Sequence, residues 1–176
     1  MVRKPQHVST KLTSGNSDQA ETAERHQSEP PGLRDQVEKL LQAGQPKKAL
    51  DVLARSKVHP PWSTNAIAVC LLRLGQADRA VELFRNLVLS GNLFLRPDVP
   101  TAWKVNFATA LLMSGNLSGC VQLLGDIREE DHPGVQRLRA ALRSWHSRLS
   151  VWEKIQWLLG GQPASPVELD FPPGEL

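Results

Sequence analysis

Residues able to carry out acid–base, nucleophilic or metal chemistry are few and scattered along the chain. Histidine occurs at five positions and cysteine at two (His7, His26, His59, His132, His146, Cys70 and Cys120). None of these pairs with a Cys or with two carboxylates at the spacing of a metal site or a catalytic triad. The glycines do not form a phosphate-binding loop. We therefore expect no enzyme activity, no metal and no cofactor.

Two cysteines also exclude a disulfide framework, because both lie inside apolar helical patterns and are expected to be buried. The longest apolar run, 66–72, ends at Arg73 and is far shorter than the roughly 20 residues that cross a membrane. The N-terminus leads into polar residues and offers no apolar stretch of a signal peptide. A cytoplasmic location is the expectation that follows.

Composition and charge divide the chain into four parts. Residues 1–32 are polar and end in Pro-Pro-Gly, which predicts a disordered arm. Residues 33–131 have helical periodicity, and residues 132–160 form a basic stretch with five Lys/Arg and one Glu. Residues 161–176 form a proline-rich tail with three acidic and no basic residues, called the tail below.

An internal repeat organises the second part. Three passages, at 40–53, 71–84 and 111–124, align on Gly44, Gly75 and Gly115. A small residue stands five places after each glycine (Ala49, Ala80, Cys120), and bulky apolar residues stand six and nine places after it (Leu50, Val81, Val121 and Leu53, Phe84, Leu124). Glycine permits the left-handed conformation that ends a helix. The pattern therefore predicts that each unit is a helical hairpin whose apolar face is covered by the neighbouring unit.

The spacing of these residues resembles the tetratricopeptide repeat (TPR) family, with about three degenerate repeats. Ala68 and Ala108 match the family's small first-helix site, and Pro61 matches its late proline. The glycine spacings of 31 and 40 depart from the usual 34. The longer spacing predicts an insertion at 91–100, an exposed loop with Phe94 and Leu95 tucked back.

The resemblance implies an all-α fold, a short helical-hairpin repeat array of the α-solenoid type. Beyond the repeats, apolar residues at helical spacing predict two C-terminal capping helices, 134–149 and 150–159. The repeat helices are predicted at 33–43, 46–57, 63–74, 77–90, 101–114 and 117–128.

In TPR arrays the first helix of each hairpin lines the concave face. The resemblance therefore implies a partner-binding surface at Trp62, Asn65, Val69, Arg73, Asn106, Thr109 and Met113. An Asn side chain both donates and accepts hydrogen bonds, so Asn65 and Asn106 suit capture of an extended peptide backbone. A purely local cap or bond at each Asn is the alternative. A non-catalytic scaffold or adaptor for a protein or peptide partner is the favoured function.

Two other functions stay open. The basic residues Arg137, Arg139, Arg143, Arg148 and Lys154 form a patch that suits nucleic acid or an acidic membrane, although they are fewer than tight phosphate binding uses. The acidic tail folding back over this helix explains the patch more simply. Self-assembly through Trp145, Trp152 and Trp157 is the third hypothesis. The sequence leaves open the oligomeric state and whether the tail occupies the array's own groove.

Overall fold

The computed structural model describes residues 32–56, 60–91, 93–161, 163 and 165–176. This part of the chain is all-helical, as predicted, and the only strands in it are two short ones. The predicted arm lies outside the described residues except for Gly32. The helices are α1 (Leu33–Gln42), α2 (Pro46–Arg55), α3 (Pro61–Arg73), α4 (Ala77–Val88), α5 (Thr101–Met113), α6 (Leu117–Asp126), α7 (Pro133–Arg148) and α8 (Val151–Leu158). Every end lies within two residues of its prediction.

The three aligned glycines end helices in the same way. Gly44, Gly75 and Gly115 have φ of 66°, 74° and 82°, where an L side chain is strained. The residue after each glycine donates its amide to the carbonyl five places back, at 2.8, 2.9 and 2.8 Å (Gln45 to Leu40, Gln76 to Leu71, Asn116 to Leu111). This pattern is the Schellman helix end. The prediction that each of these glycines ends a helix in the left-handed conformation is confirmed.

Helix packing follows the small and bulky positions of the repeat. Ala49, Ala80 and Cys120 are fully buried, which lets paired helices approach closely. Leu53, Phe84 and Leu124 are buried beside them. Val121, six places after Gly115, is instead 43% exposed, so the predicted apolar stripe is incomplete in the third unit.

Successive helices from α1 to α6 pack against one another, and α5 also contacts both α3 and α7. Helix α5 is buried almost all round, from Lys104 to Leu112, because it has neighbours on several sides. A helix in that position loses the alternation of apolar and polar faces that marks a surface helix.

The insertion between α4 and α5 differs from its prediction. Strands β1 (Leu89–Ser90) and β2 (Phe94–Leu95) pair antiparallel. Leu95 packs against the core, whereas Phe94 is 73% exposed. Successive side chains of a strand point to opposite faces, so Phe94 and Leu95 could not both turn inward. The expectation that Phe94 tucks back is wrong.

The two C-terminal helices lie where they were predicted. Trp145 is buried on α7, and Trp157 on α8 meets it edge to face at 5.8 Å between ring centroids. Ser150 and Glu153 form a capping box at the start of α8. The outer face of α8 is apolar, with Val151, Trp152, Ile155 and Leu158 exposed, and Leu159 directly after it is exposed too. A terminal cap of a repeat array ordinarily has a polar outer face. Of the three tryptophans proposed for self-assembly, Trp145 is buried and unavailable.

Candidate functional site

The tail lies along α7 before it reaches the first helices of the hairpins. The indole nitrogen Nε1 of Trp145 donates to the Ser165 carbonyl at 2.8 Å. Arg148 pairs with Glu168 at 3.3 Å. Arg137 lies over the Phe171 ring, with its guanidinium carbon 5.6 Å from the ring centroid. The acidic tail therefore does fold back over the basic helix.

Asn106 holds one backbone unit of the tail from both sides. Its Oδ1 accepts from the Glu175 amide at 2.9 Å, and its Nδ2 donates to the Glu175 carbonyl at 2.7 Å. The same Nδ2 donates to Oδ1 of Asn65 at 3.1 Å, which fixes the orientation of the amide. Asn65 and Asn106 are buried, at 2% and 1% exposure respectively, so their polar atoms need these partners.

Arg73 holds the adjacent backbone of the tail. Its Nε donates to the Pro173 carbonyl at 3.2 Å and its Nη2 to the Gly174 carbonyl at 3.0 Å. Its Nη1 donates at 2.7 Å to the Leu41 carbonyl at the end of α1, which also accepts the Gly44 amide at 3.1 Å. Burial lowers the pKa of Arg73, but a guanidinium stays charged in proteins. One side chain thus ties the tail to α1 and α3.

Gly174 has a conformation and a contact that exclude other residues. Its φ is +80°, and a Cβ built on it would lie 2.9 and 3.0 Å from the two γ-methyl carbons of Val69. Real Cβ atoms essentially never show the shorter of these distances, and L side chains rarely adopt this φ. The backbone of the tail therefore approaches α3 as closely as it does only because this residue is glycine.

These contacts define a surface that we call the tail groove: Leu41, Val69, Arg73, Asn106, Met113 and Arg137. Met113 belongs to it because it lines the same depression as Pro172 and Pro173. Of the residues predicted for the concave face, Asn65, Val69, Arg73, Asn106 and Met113 are therefore brought together.

The two remaining residues of that prediction are placed differently. Thr109 is buried, and its hydroxyl donates to the Val105 carbonyl of its own helix at 2.9 Å, so it is not directed to the tail. Trp62 is half-buried, and its Nε1 has no hydrogen-bond partner among the described residues.

The predicted basic patch is divided by the structure. Arg137 forms an ion pair with Glu175, Arg148 with Glu168, and Arg139 with Glu130 at 3.3 Å. Arg143 and Lys154 have no ion pair with any residue that the structure describes. Three of the five cations therefore neutralise acids of the same chain, two of them in the tail.

The cysteines are buried and held in the thiol form. Desolvation raises the pKa of Cys70 to about 11 and that of Cys120 to about 12. The reactive thiolate is therefore scarce at neutral pH. No group of three His, Cys, Asp or Glu in the described ranges is placed to hold a metal ion.

Comparison with protein-family models, with curated proteins and with solved structures finds no match for this chain. Among the helices described, none has the length and apolar character to cross a membrane.

Sequence reasoning missed three features of the groove. It placed Arg137 in the patch, whereas the side chain contacts two residues of the tail. It did not include Leu41, whose backbone carbonyl is the acceptor for Arg73 and has no side-chain signature. It described residues 161–176 only as a proline-rich acidic tail and did not single out Gly174, although glycine is the residue that permits a close backbone approach.

Proposed function

We propose that the chain is a non-catalytic scaffold that binds an extended peptide segment of a protein partner in the tail groove. The observation that carries the proposal is the two-way pairing of Asn106 with the backbone of Glu175. The groove is then a peptide site that the chain's own tail occupies when no partner is present. A cytoplasmic location remains part of the proposal.

Backbone recognition supports capture of a segment from another chain. Asn106 and Arg73 make four hydrogen bonds to the tail, and all four go to main-chain atoms. A ladder of this kind supplies affinity without demanding particular side chains, as when a peptide adds to a sheet edge. Any extended segment that can approach Val69 closely enough can present the same groups.

The TPR-like array is the architecture that we propose for the scaffold. The three equivalent glycine corners, the buried small residues and the contact of α3 with α5 support stacked hairpins. In such an array the first helices of successive hairpins line one face. The groove residues Val69, Arg73, Asn106 and Met113 come from α3 and α5, which are the first helices of the second and third hairpins.

The docked tail is a competitor that an external segment must displace. A tethered segment acts at an effective concentration that reaches the millimolar range for short flexible linkers. A partner therefore binds the intact chain more weakly than it binds a chain whose tail has been released. That difference gives the proposal a direct test.

The test uses the full chain with Gly174→Val, which opens the groove without changing it. A β-branched residue at φ near +80° is strained and clashes with Val69, so the altered tail cannot dock its residues 172–176 in the groove. The probe is a fluorescein-labelled peptide with the sequence of residues 165–176, followed by fluorescence polarisation. Gly91→Val is the matched control, since Gly91 has φ of 56° and lies in the β1–β2 hairpin, outside the groove.

We expect the peptide to bind Gly174→Val at least about tenfold more tightly than it binds the wild-type or Gly91→Val chain. Adding Asn106→Leu to the open chain should abolish that gain, and a scrambled peptide should not bind. Absence of peptide binding to the open, folded chain would show that the tail is a structural element only.

A further inference from the structure

The side chains of the docked tail identify the chemistry of the external partner. Resting on the proposed function, we infer that the groove selects an extended acidic segment with an aromatic residue, two prolines, a glycine and an acid in that order. Phe171 to Glu175 is the internal copy of that segment. The groove holds the segment by its backbone and selects side chains at three points.

The first point of selection is the glycine. The wall of the groove at this position is Val69, which is itself fully buried. An added Cβ would lie 3.3 Å from the Cβ of Val69 as well as within 3.0 Å of both its methyl carbons. Since Val69 belongs to the packed core of α3, it cannot move aside freely. A partner residue at this place must therefore lack a side chain.

The second point is the pair of prolines. Pro172 and Pro173 line the same depression as Leu41, Leu72 and Met113, whose side chains give it an apolar floor. Proline has no amide hydrogen, so neither residue leaves an unpaired donor on that floor. It also favours the extended polyproline conformation before binding, which reduces the entropy lost on docking. The Pro173 carbonyl remains available to Arg73.

The third point is Arg137, which contacts the side chains at both ends of the segment. It pairs with the Glu175 carboxylate and lies over the Phe171 ring. Three residues lie between these two positions, so a single guanidinium favours an aromatic residue and an acid at that fixed spacing. The pair is partly exposed, at 46% and 41% of the two side chains, so it contributes selectivity more than affinity.

The experiment compares four labelled peptides of residues 165–176 on the full-length Gly174→Val chain: the native sequence, and versions with Gly174→Ala, Glu175→Gln or Phe171→Leu. We expect the alanine peptide to bind at least about tenfold more weakly, from strain at positive φ and the contact with Val69. The other two should each lose about two- to fivefold.

Substitutions in the groove distinguish selection of peptide side chains from a general loss of peptide affinity. Val69→Ala in the open chain should narrow the gap between the glycine and alanine peptides, because it removes the two methyl groups that clash. The chain's own tail stays out of the groove, since a valine at position 174 is strained at positive φ whichever residue stands at position 69. Arg137→Gln should equalise the native, Glu175→Gln and Phe171→Leu peptides.

Each outcome bears on the inference in a defined way. If all four peptides bind the open chain equally, selection is absent and the inference fails, while the proposed function stands. If none binds, the proposed function itself fails. If the wild-type chain forms a dimer by exchanging tails in sedimentation experiments, the occupant is a second copy and not a different partner, which also overturns the inference.

Discussion

Removal of the Asn106 amide should release the tail by a predictable amount. Leucine has the same number of side-chain heavy atoms and the same branching as asparagine, so Asn106→Leu deletes both bonds to Glu175 without removing any side-chain heavy atom. Each neutral hydrogen bond contributes about 0.5–1.5 kcal/mol net. Two bonds of 2.7 and 2.9 Å therefore contribute about 1–3 kcal/mol to tail docking. At about 1.4 kcal/mol for each factor of ten, the undocked population rises about 5- to 150-fold.

Carboxypeptidase removal of Leu176 measures that population. Digestion follows the equilibrium fraction of open chains when docking is fast relative to cleavage. Mass spectrometry should show Leu176 leaving faster from Asn106→Leu than from wild type by the factor above. The Gly174→Val chain sets the upper limit, because its tail is permanently open.

Thr109→Val is the matched control for this experiment. It removes another buried side-chain hydrogen bond from α5, but that bond goes to Val105 of the same helix and not to the tail. Its digestion rate should equal that of wild type. If Asn106→Leu is digested no faster than wild type, or if Thr109→Val accelerates digestion to the same degree, the assignment of Asn106 as the backbone clamp is wrong.

Three further predictions concern the helix corners, acid pH and the thiols. Gly75→Ala should lower the free energy of unfolding, measured by urea denaturation, by about 1–2 kcal/mol because alanine is strained at φ 74°. Gly125→Ala is the control: it lies inside α6, where an added Cβ also meets no atom within 4 Å, and it should raise the free energy of unfolding by about 0.5–1 kcal/mol. Hydrogen bonds from the Ser165 hydroxyl, and to a smaller extent from Ser150, lower the pKa of Glu153 from 4.5 to about 2. The stability that the ionised Glu153 contributes is therefore complete above pH 4.5 and is lost as the pH falls towards 2. An NMR titration of Ser165→Ala should show a higher pKa for Glu153. Burial raises the pKa of Cys120 to about 12, so iodoacetamide at pH 8 should modify it only after denaturation.

Much of the helical organisation was predictable because it depends on neighbours in sequence. The hydrogen bonds at Gly44, Gly75 and Gly115 join residues at most five apart, so residue type and spacing are enough to place each corner. The burial of Ala49 and Ala80 follows from the same local period. The exposed Phe94 was not predictable in this way, because only the pairing of β1 with β2 decides which side chain turns inward.

The sequence by itself determined where helices begin and end, and it singled out Asn65 and Asn106 as residues suited to a peptide backbone, with Arg73 on the same predicted face. Only the tertiary structure decided which backbone they hold. The contacts of Asn106 and Arg73 with the tail join residues 69 to 101 positions apart. No local period encodes such contacts, since they depend on how α3, α5 and α7 stack and on where the chain emerges after α8. The same dependence turned Arg137 from one charge of a patch into the residue that contacts both ends of the docked segment.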